Sequence, residues 1–344
     1  MDTLRDILQY LHYHPESSRQ EIQSGLQLSI SDATLKRLIA SAVQHGDMVV
    51  SGKARATRYA LSPQAQVTMP ISIDTYFADD IDARQVQTTF NFGLLDMLRD
   101  QVVLFEPAEL QHLEELHNEY REHIAGISEN TYRKEMERLG IDLSWKSSQI
   151  EGNTYTLLET ERLLQESKTA NGKTKEEAIM LLNHKDALRF ILDNPDYLQT
   201  LTIHRIEDIH TILTKDLSVE SGLRYRRVGI TGTNYHPLDN EFQIREALET
   251  TCALINGNSN VFEKALLVLV LLSYIQPFMD GNKRTARITS NALLIANGYC
   301  PISFRTVDSI DYKKAMLLFY EQNNISAFKQ IFISQFEFAV KEYF

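Results

Sequence analysis

This sequence predicts a mainly α-helical fold in two units, and three observations carry that expectation. The run Ala265 to Leu272 is apolar at every position, so it specifies a helix buried on all sides. The composition is 43% hydrophobic with only 14 Gly and 8 Pro in 344 residues, as in a globular chain rich in helix. The first 62 residues read as three helices followed by a short hairpin, an order that does not recur downstream.

In the N-terminal stretch, Leu4, Ile7, Leu8 and Leu11 share one side of a helix over Thr3 to Tyr13. Pro15 follows, then a short helix around Arg19 to Gly25. Ser31 and Asp32 start a third helix carrying Leu35, Leu38, Ile39 and Val43, and Gly46 stops it. Asp47 to Leu61 then reads as a β-hairpin. This layout resembles a winged helix-turn-helix. The resemblance implies DNA as a partner of residues 1–62, with Lys36, Arg37, Lys53, Arg55 and Arg58 near phosphates. A protein-docking wing with solvated charges is the alternative, because the unit holds almost as many acids as bases.

Residues 63–79, polar with Pro63 and Pro70, read as a linker to a helical domain over 80–344. Helical patterns cover Ile81 to Arg99 and Pro107 to Ala125. His112, His117 and His123 on the second do not share a helical face, so surface positions are expected for them. A helix over about 141–153 closes at Gly152 or Asn153. Thr174 with Glu177 is a capping box for a helix reaching Leu192, and another helix covers Thr202 to Thr214. His204 and His210 on it are expected as surface or core residues rather than ligands. Between 226 and 237, Val228 and Ile230 alternate with Gly229 and Thr231, and Gly232 and Asn234 permit a turn, which predicts a small hairpin. Ser309 to Asn323 and Ala327 to Lys341 complete the helices.

Charge and cysteine content bound the setting. A net charge of −11 argues against attraction of the whole chain to nucleic acid or membrane. Cys252 and Cys300 build no disulfide framework, the first 20 residues hold no signal-peptide core, and the longest apolar run is shorter than the about 20 residues of a spanning helix. A cytoplasmic location without membrane partners is the expectation.

The most informative stretch runs from Ser273 to Arg287. Pro277 ends the apolar helix, Asp280-Gly281-Asn282 forms a turn, and a second helix opens at once with Arg284 and Arg287 on one face. A Gly-Asn turn on a helix N-terminus gathers N–H groups for an anion, and two arginines add bidentate donors for phosphate oxygens. A carboxylate at Asp280 suits a hard divalent cation bridging such phosphates. A P-loop is excluded by spacing and by the preceding helix.

From Pro277 to Arg287 the stretch resembles the signature of the Fic family, His-Pro-Phe-x-Asp/Glu-Gly-Asn-Gly/Lys-Arg-x-x-Arg, with Gln276 in the histidine position. The resemblance implies an ATP substrate with Mg²⁺ on Asp280. Gly281, Asn282 and Lys283 then cradle phosphates, Arg284 and Arg287 bind the outer ones, and Phe278 anchors the loop. The implied reaction is transfer of AMP to a hydroxyl of an unidentified protein target, with a homodimer as the implied assembly. In the family the histidine takes the hydroxyl proton. An amide cannot titrate, and losing a positioned base costs on the order of 10²–10⁴-fold. Weak, altered or absent transfer is therefore expected, with a nucleotide-responsive DNA-binding regulator as the alternative.

Two further stretches resemble parts of the same family. Ser147, Glu151 and Gly152 match its inhibitory motif Ser/Thr-x-x-x-Glu-Gly/Asn, whose glutamate pairs with the second signature arginine, here Arg287. Val228, Gly229, Ile230, Thr231 and Gly232 match its flap, which holds a target segment by strand addition. His236 lies just beyond the flap, in reach of the adenosine or target only if the fold brings it there.

Overall fold

The computed structural model describes residues 3–344. Three helices open it: α1 (Thr3–Tyr13), α2 (Arg19–Gly25) and α3 (Asp32–His45). Strands β1 (Met48–Ser51) and β2 (Arg58–Leu61) follow, paired antiparallel from Met48 opposite Leu61 to Ser51 opposite Arg58. Caps set the helix starts. Ser18 and Glu21 form a capping box on α2, and the Ser31 hydroxyl accepts from the Thr34 N–H on α3. Gly46, at φ 83°, ends α3 in the left-handed conformation. This unit has its own small core of Ile7, Leu11, Ile22, Leu35, Ile39, Ala42 and Met48.

The polar stretch expected as a linker is structured. It holds α4 (Pro63–Thr68) and α5 (Ile73–Tyr76), and Val67 is fully buried in the main core. Residues 81–91 depart from the expected helix, since helix begins only at α6 (Phe92–Asp100). The Val86-Gln87-Thr88-Thr89 run disfavours helix, and tertiary partners take its backbone groups. Gln87 N donates to Glu321 O, Thr88 O accepts from His236 N, and Asn91 N donates to the Tyr274 hydroxyl.

The body continues with α7 (Pro107–Gly126), α8 (Glu129–Ile150), α9 (Leu157–Glu166), α10 (Lys175–Asp193), α11 (Ile203–Thr214) and α12 (Glu241–Gly257). It ends with α13 (Val261–Ile275), α14 (Asn282–Ala296), α15 (Ser309–Gln322) and α16 (Ser326–Tyr343). Every residue of α13 from Ala265 to Ile275 is buried, which places the all-apolar helix at the centre as its sequence requires. The C-terminal aromatics Phe319, Tyr320, Phe328, Phe332 and Phe336 belong to that core. His117, expected at the surface, is instead buried and stacked on Tyr299 at 3.7 Å between ring centroids.

The expected hairpin at 226–237 forms no strands. Among the described residues the only sheet is β1–β2, and residues 228–230 form neither helix nor strand. Their turn is held from outside, by the Arg84 and Asn234 side chains, rather than by hydrogen bonds across a ladder. Among the described residues no helix is long and apolar enough to cross a membrane.

Leu269→Ala on α13 is expected to cost about 2–5 kcal/mol in urea unfolding, because a fully buried site leaves a cavity. Leu158→Ala, at an exposed position of α9, is expected to stay within about 0.5 kcal/mol of the unaltered chain.

Candidate functional site

The loop between α13 and α14 is closed by a buried amide. Asn282 Oδ1 accepts from Phe278 N at 2.8 Å, while Asn282 Nδ2 donates to Phe278 O at 2.8 Å and to Gln276 Oε1 at 3.0 Å. Gln276 sits at φ 52°, a left-handed conformation that a non-glycine residue keeps only when its surroundings hold it there. Its Nε2 donates to Ser273 O at 2.6 Å, so both ends of the amide are engaged. Phe278 is fully buried and stacks on His210 at 3.8 Å, and His210 Nε2 donates to Asp280 O at 3.0 Å. Burial holds His210 down at about 4, so it acts here as a neutral donor.

Arg224 supports the same loop from the far side. It is buried, and its Nε donates to Gln276 O at 2.6 Å while its Nη2 donates to the carbonyls of Leu238 and Ile275. Its backbone N donates to Pro277 O at 2.9 Å. A cation is thus placed on the free carbonyls at the C-terminus of α13, where the helix dipole favours it.

The helix that follows begins without a side-chain cap. Gly281, at φ 79°, is the residue before α14, and an added Cβ there would stand 3.3 Å from Thr214 Cγ2 and 3.5 Å from Arg284 Nη2. The first-turn N–H groups of α14 are therefore free for an anion. They open on a cleft of about 370 Å³. Gln276, Met279, Asp280, Gly281, Asn282 and Lys283 form its floor, and Val228, Gly229, Ile230 and Thr231 one wall. The rest of the lining comes from Ile150 and Glu151 and from Tyr312, Lys313, Met316, Leu317 and Tyr320 of α15.

The two signature arginines do not line this cleft. Arg287 is fully buried and clamped: Nη2 meets Glu151 Oε1 at 2.8 Å and Ser147 O at 3.0 Å, and Nε meets Ser147 Oγ at 2.8 Å. Because Ser147 Oγ accepts from Arg287, its own proton goes to His184 Nε2 at 2.6 Å, which leaves His184 to donate from Nδ1 to Met180 O. Burial, with Arg284 and Arg287 nearby, keeps His184 neutral by lowering it to about 3. Lys283 Nζ adds a contact to Glu151 Oε2 at 3.4 Å. Burial pushes the Glu151 carboxyl up, but Arg287 and Lys283 outweigh it and hold the group down at about 2. Arg284 is buried beside Asp280, with Nη2 3.2 Å from Oδ2 and Nη1 3.4 Å from Leu213 O.

Asp280 is 70% exposed at the mouth of the cleft. Among the described residues no three His, Cys, Asp or Glu gather into a metal cluster, so the side chains alone build no cage for an ion. One exposed carboxylate beside an uncapped helix does fit Mg²⁺, which keeps several waters and completes its shell with phosphate oxygens.

The fold therefore brings Glu151, Ser147 and Arg287 together, and Glu151 also lines the cleft that Gln276, Asp280, Gly281, Asn282, Lys283 and residues 228–231 share. Gly232 lies off the cleft, held by Arg84 Nη2 on its carbonyl at 2.8 Å. His236 is exposed and off the cleft, and its backbone is tied to Thr88. Sequence reasoning missed Arg224, His184 and the α15 wall. The i, i+4, i+8 spacing of Tyr312, Met316 and Tyr320 was a usable sign of one helical face.

Residues 200–294 match the Fic/DOC family. A protein adenylyltransferase Fic of Nematostella vectensis is 31% identical over 175 residues, covering 49% of this chain and 40% of the relative. The Caenorhabditis elegans protein adenylyltransferase fic-1 is 29% identical over 161 residues, covering 44% of this chain and 31% of the relative. The matches thus span less than half the length of these curated relatives. In the body fold, C. elegans Fic-1 superposes at TM-score 0.59 with 20% identity, covering 69% of this chain and 71% of that one. A Fic family protein of Desulfovibrio desulfuricans does so at 0.57 with 18% identity, covering 70% and 75%. The chain therefore has a Fic-type helical fold around a Fic/DOC segment.

Glu151→Gln should lower stability at pH 7 by about 1–3 kcal/mol, because it leaves a buried guanidinium without its counter-charge. A carboxyl whose folded value is depressed to about 2 contributes stability above its ordinary value of 4.5 and loses it as pH falls. Urea unfolding across pH should show the two proteins converging between pH 4.5 and 2.

Proposed function

We propose that the cleft is an ATP site of Fic-type AMP-transfer chemistry, held shut by Glu151 and lacking a proton acceptor at Gln276. The observation that carries this reading is the Glu151–Arg287 contact at 2.8 Å, in which an inhibitory carboxylate occupies the guanidinium that an outer phosphate needs. Both arginines sit behind the cleft surface, so a triphosphate reaches Arg287 only after Glu151 leaves. The uncapped N-terminus of α14 and Lys283 then bind phosphate oxygens, and Asp280 would hold Mg²⁺, which would neutralise phosphate charge.

In the transfer step the target hydroxyl oxygen bonds to the α-phosphorus, the bond to pyrophosphate breaks, and the hydroxyl proton must leave. The Gln276 amide donates to Ser273 and accepts from Asn282, and its remaining oxygen lone pair orients a hydroxyl without taking its proton. The proton goes to solvent. Residues 228–231 stand unpaired along the cleft, which supports docking of a target segment by strand addition.

Glu151→Gly should tighten ATP binding at least about tenfold by calorimetry, since it frees a charge-assisted phosphate contact. In that background, transfer of α-labelled AMP to protein should be on the order of 10²–10⁴-fold slower with Gln276 than with Gln276→His. Equal rates in the two forms would sink the proposed role of Gln276. No transfer in either would sink the chemistry.

A second reading concerns residues 3–61. Lys36 and Arg37 are exposed on α3, and Lys53 and Arg55 are exposed on the turn joining β1 to β2. This arrangement supports a winged helix-turn-helix that sets α3 in a major groove with the turn along the phosphates. Duplex binding should then weaken steeply with salt and vanish on deleting residues 1–62. No binding to any duplex at low salt would remove this reading.

A further inference from the structure

The turn joining α15 to α16 holds a large share of the N-terminal chain. Glu321 O accepts from Gln87 N, Asn323 Oδ1 from Asn91 Nδ2, and Ile325 N donates to Val67 O. Asn324 Nδ2 donates to the carbonyls of Gln66 and Met69. Earlier on α15 lie Tyr312, Met316, Leu317 and Tyr320, which line the cleft.

Through this turn runs a directional chain of hydrogen bonds. His12 Nε2 on α1 donates to Gln322 Oε1 at 2.7 Å, and Gln322 Nε2 donates to the Tyr76 hydroxyl at 2.9 Å. Tyr76 donates in turn to Glu321 Oε2 at 2.6 Å. The buried Glu321 carboxylate receives Arg84 in a fork, Nε to Oε2 and Nη2 to Oε1, both at 3.0 Å. The same Nη2 also donates to the carbonyl of Gly232 at 2.8 Å. Gly232 abuts the cleft wall, since an added Cβ would stand 3.3 Å from Leu317 Cδ1. The neighbouring ties go to the same segment, residues 81–91: Asn234 Nδ2 donates to Asp82 Oδ1, and His236 N to Thr88 O.

The geometry points to Arg84 as a positioning residue for the flap, set from α1 through Gln322, Tyr76 and Glu321, so that displacing the N-terminal unit releases the flap. A carboxylate buried as fully as Glu321 cannot stand unpaired, so Arg84 stays committed to it. The angle at which the fork presents Nη2 to Gly232 then depends on where Glu321 lies. Glu321 in turn is held by the Tyr76 hydroxyl, which Gln322 orients. The Gln322 amide has its oxygen on His12 and its nitrogen also on the carbonyl of Gln85, so drawing His12 away removes one of the two anchors of that amide. A partner that draws α1 off the turn loosens Gly232 and opens the cleft wall. What the flap does with a target rests on the function proposed above; its docking does not, and can be read without nucleotide.

The test is hydrogen exchange by mass spectrometry on the full chain, following the peptide that contains Thr233 to His236. The His236 amide is protected there by Thr88 O. Arg84→Lys keeps a charge on Glu321 but cannot span both partners, and should speed exchange roughly tenfold. His12→Ala should speed it several-fold, whereas His12→Gln, which keeps a side-chain N–H donor, should stay near the unaltered rate. Arg19→Ala, at an exposed ion pair of the same unit, should change nothing. Unaltered exchange in Arg84→Lys would overturn the positioning role. Unaltered exchange in His12→Ala, or equal acceleration in His12→Gln, would overturn control from α1. Acceleration that spreads to peptides of α13 would also count against the inference, as general destabilisation.

Discussion

Burial of the Arg287 guanidinium is the constraint on which the rest of this site depends. A cation removed from water must be met by hydrogen-bond acceptors and counter-charge. Here Ser147 on α8 and Glu151 at its end supply them to Nε and Nη2, while Nη1 has no hydrogen-bond partner among the described residues. Ser147 offers its hydroxyl and carbonyl, Glu151 its carboxylate, and the Tyr312 ring lies 5.3 Å from the guanidinium carbon. Satisfying Ser147 fixes His184 on α10 in turn. One arginine therefore ties three helices to α14, and in the function proposed above the contact that relieves its burial is also the contact a phosphate would need.

The α13–α14 loop answers a different demand. An apolar helix ends in the interior, so its last carbonyls need donors that water cannot provide. Arg224 reaches across from residue 224 to serve Ile275 and Gln276, and Asn282 folds back to serve Phe278. The loop is thereby rigid before any ligand arrives, which is what an anion site at a helix N-terminus requires. The same rigidity leaves Gln276 with an amide whose two ends are already engaged. Its chemistry is that of a positioner, not a base.

Much of the helical layout was legible beforehand. Thr174 with Glu177, Ser31 with Asp32, and the all-apolar α13 announced themselves through capping chemistry and periodicity, which are local. The signature turn was legible for the same reason, since the Gly281 conformation and the arginine spacing are written within a dozen residues. What failed was non-local. Residues 81–91 fall in the helical pattern over Ile81 to Arg99, but their backbone partners are Glu321, His236 and Tyr274. Residues 63–79 looked like a linker because they are polar, yet their carbonyls are claimed by Asn324.

By itself, the sequence determined the starts of several helices, that α13 must be central, and that a glycine-led helix N-terminus stands beside a carboxylate and two arginines. These follow from backbone conformation and side-chain chemistry over a few adjacent residues. Only the tertiary structure decided that both arginines are withdrawn behind the cleft, that His236 lies off it, and that residues 228–231 pair with no strand among the described residues. Those outcomes turn on which distant group pays the desolvation cost of a buried charge or main-chain dipole, and no local pattern encodes that choice.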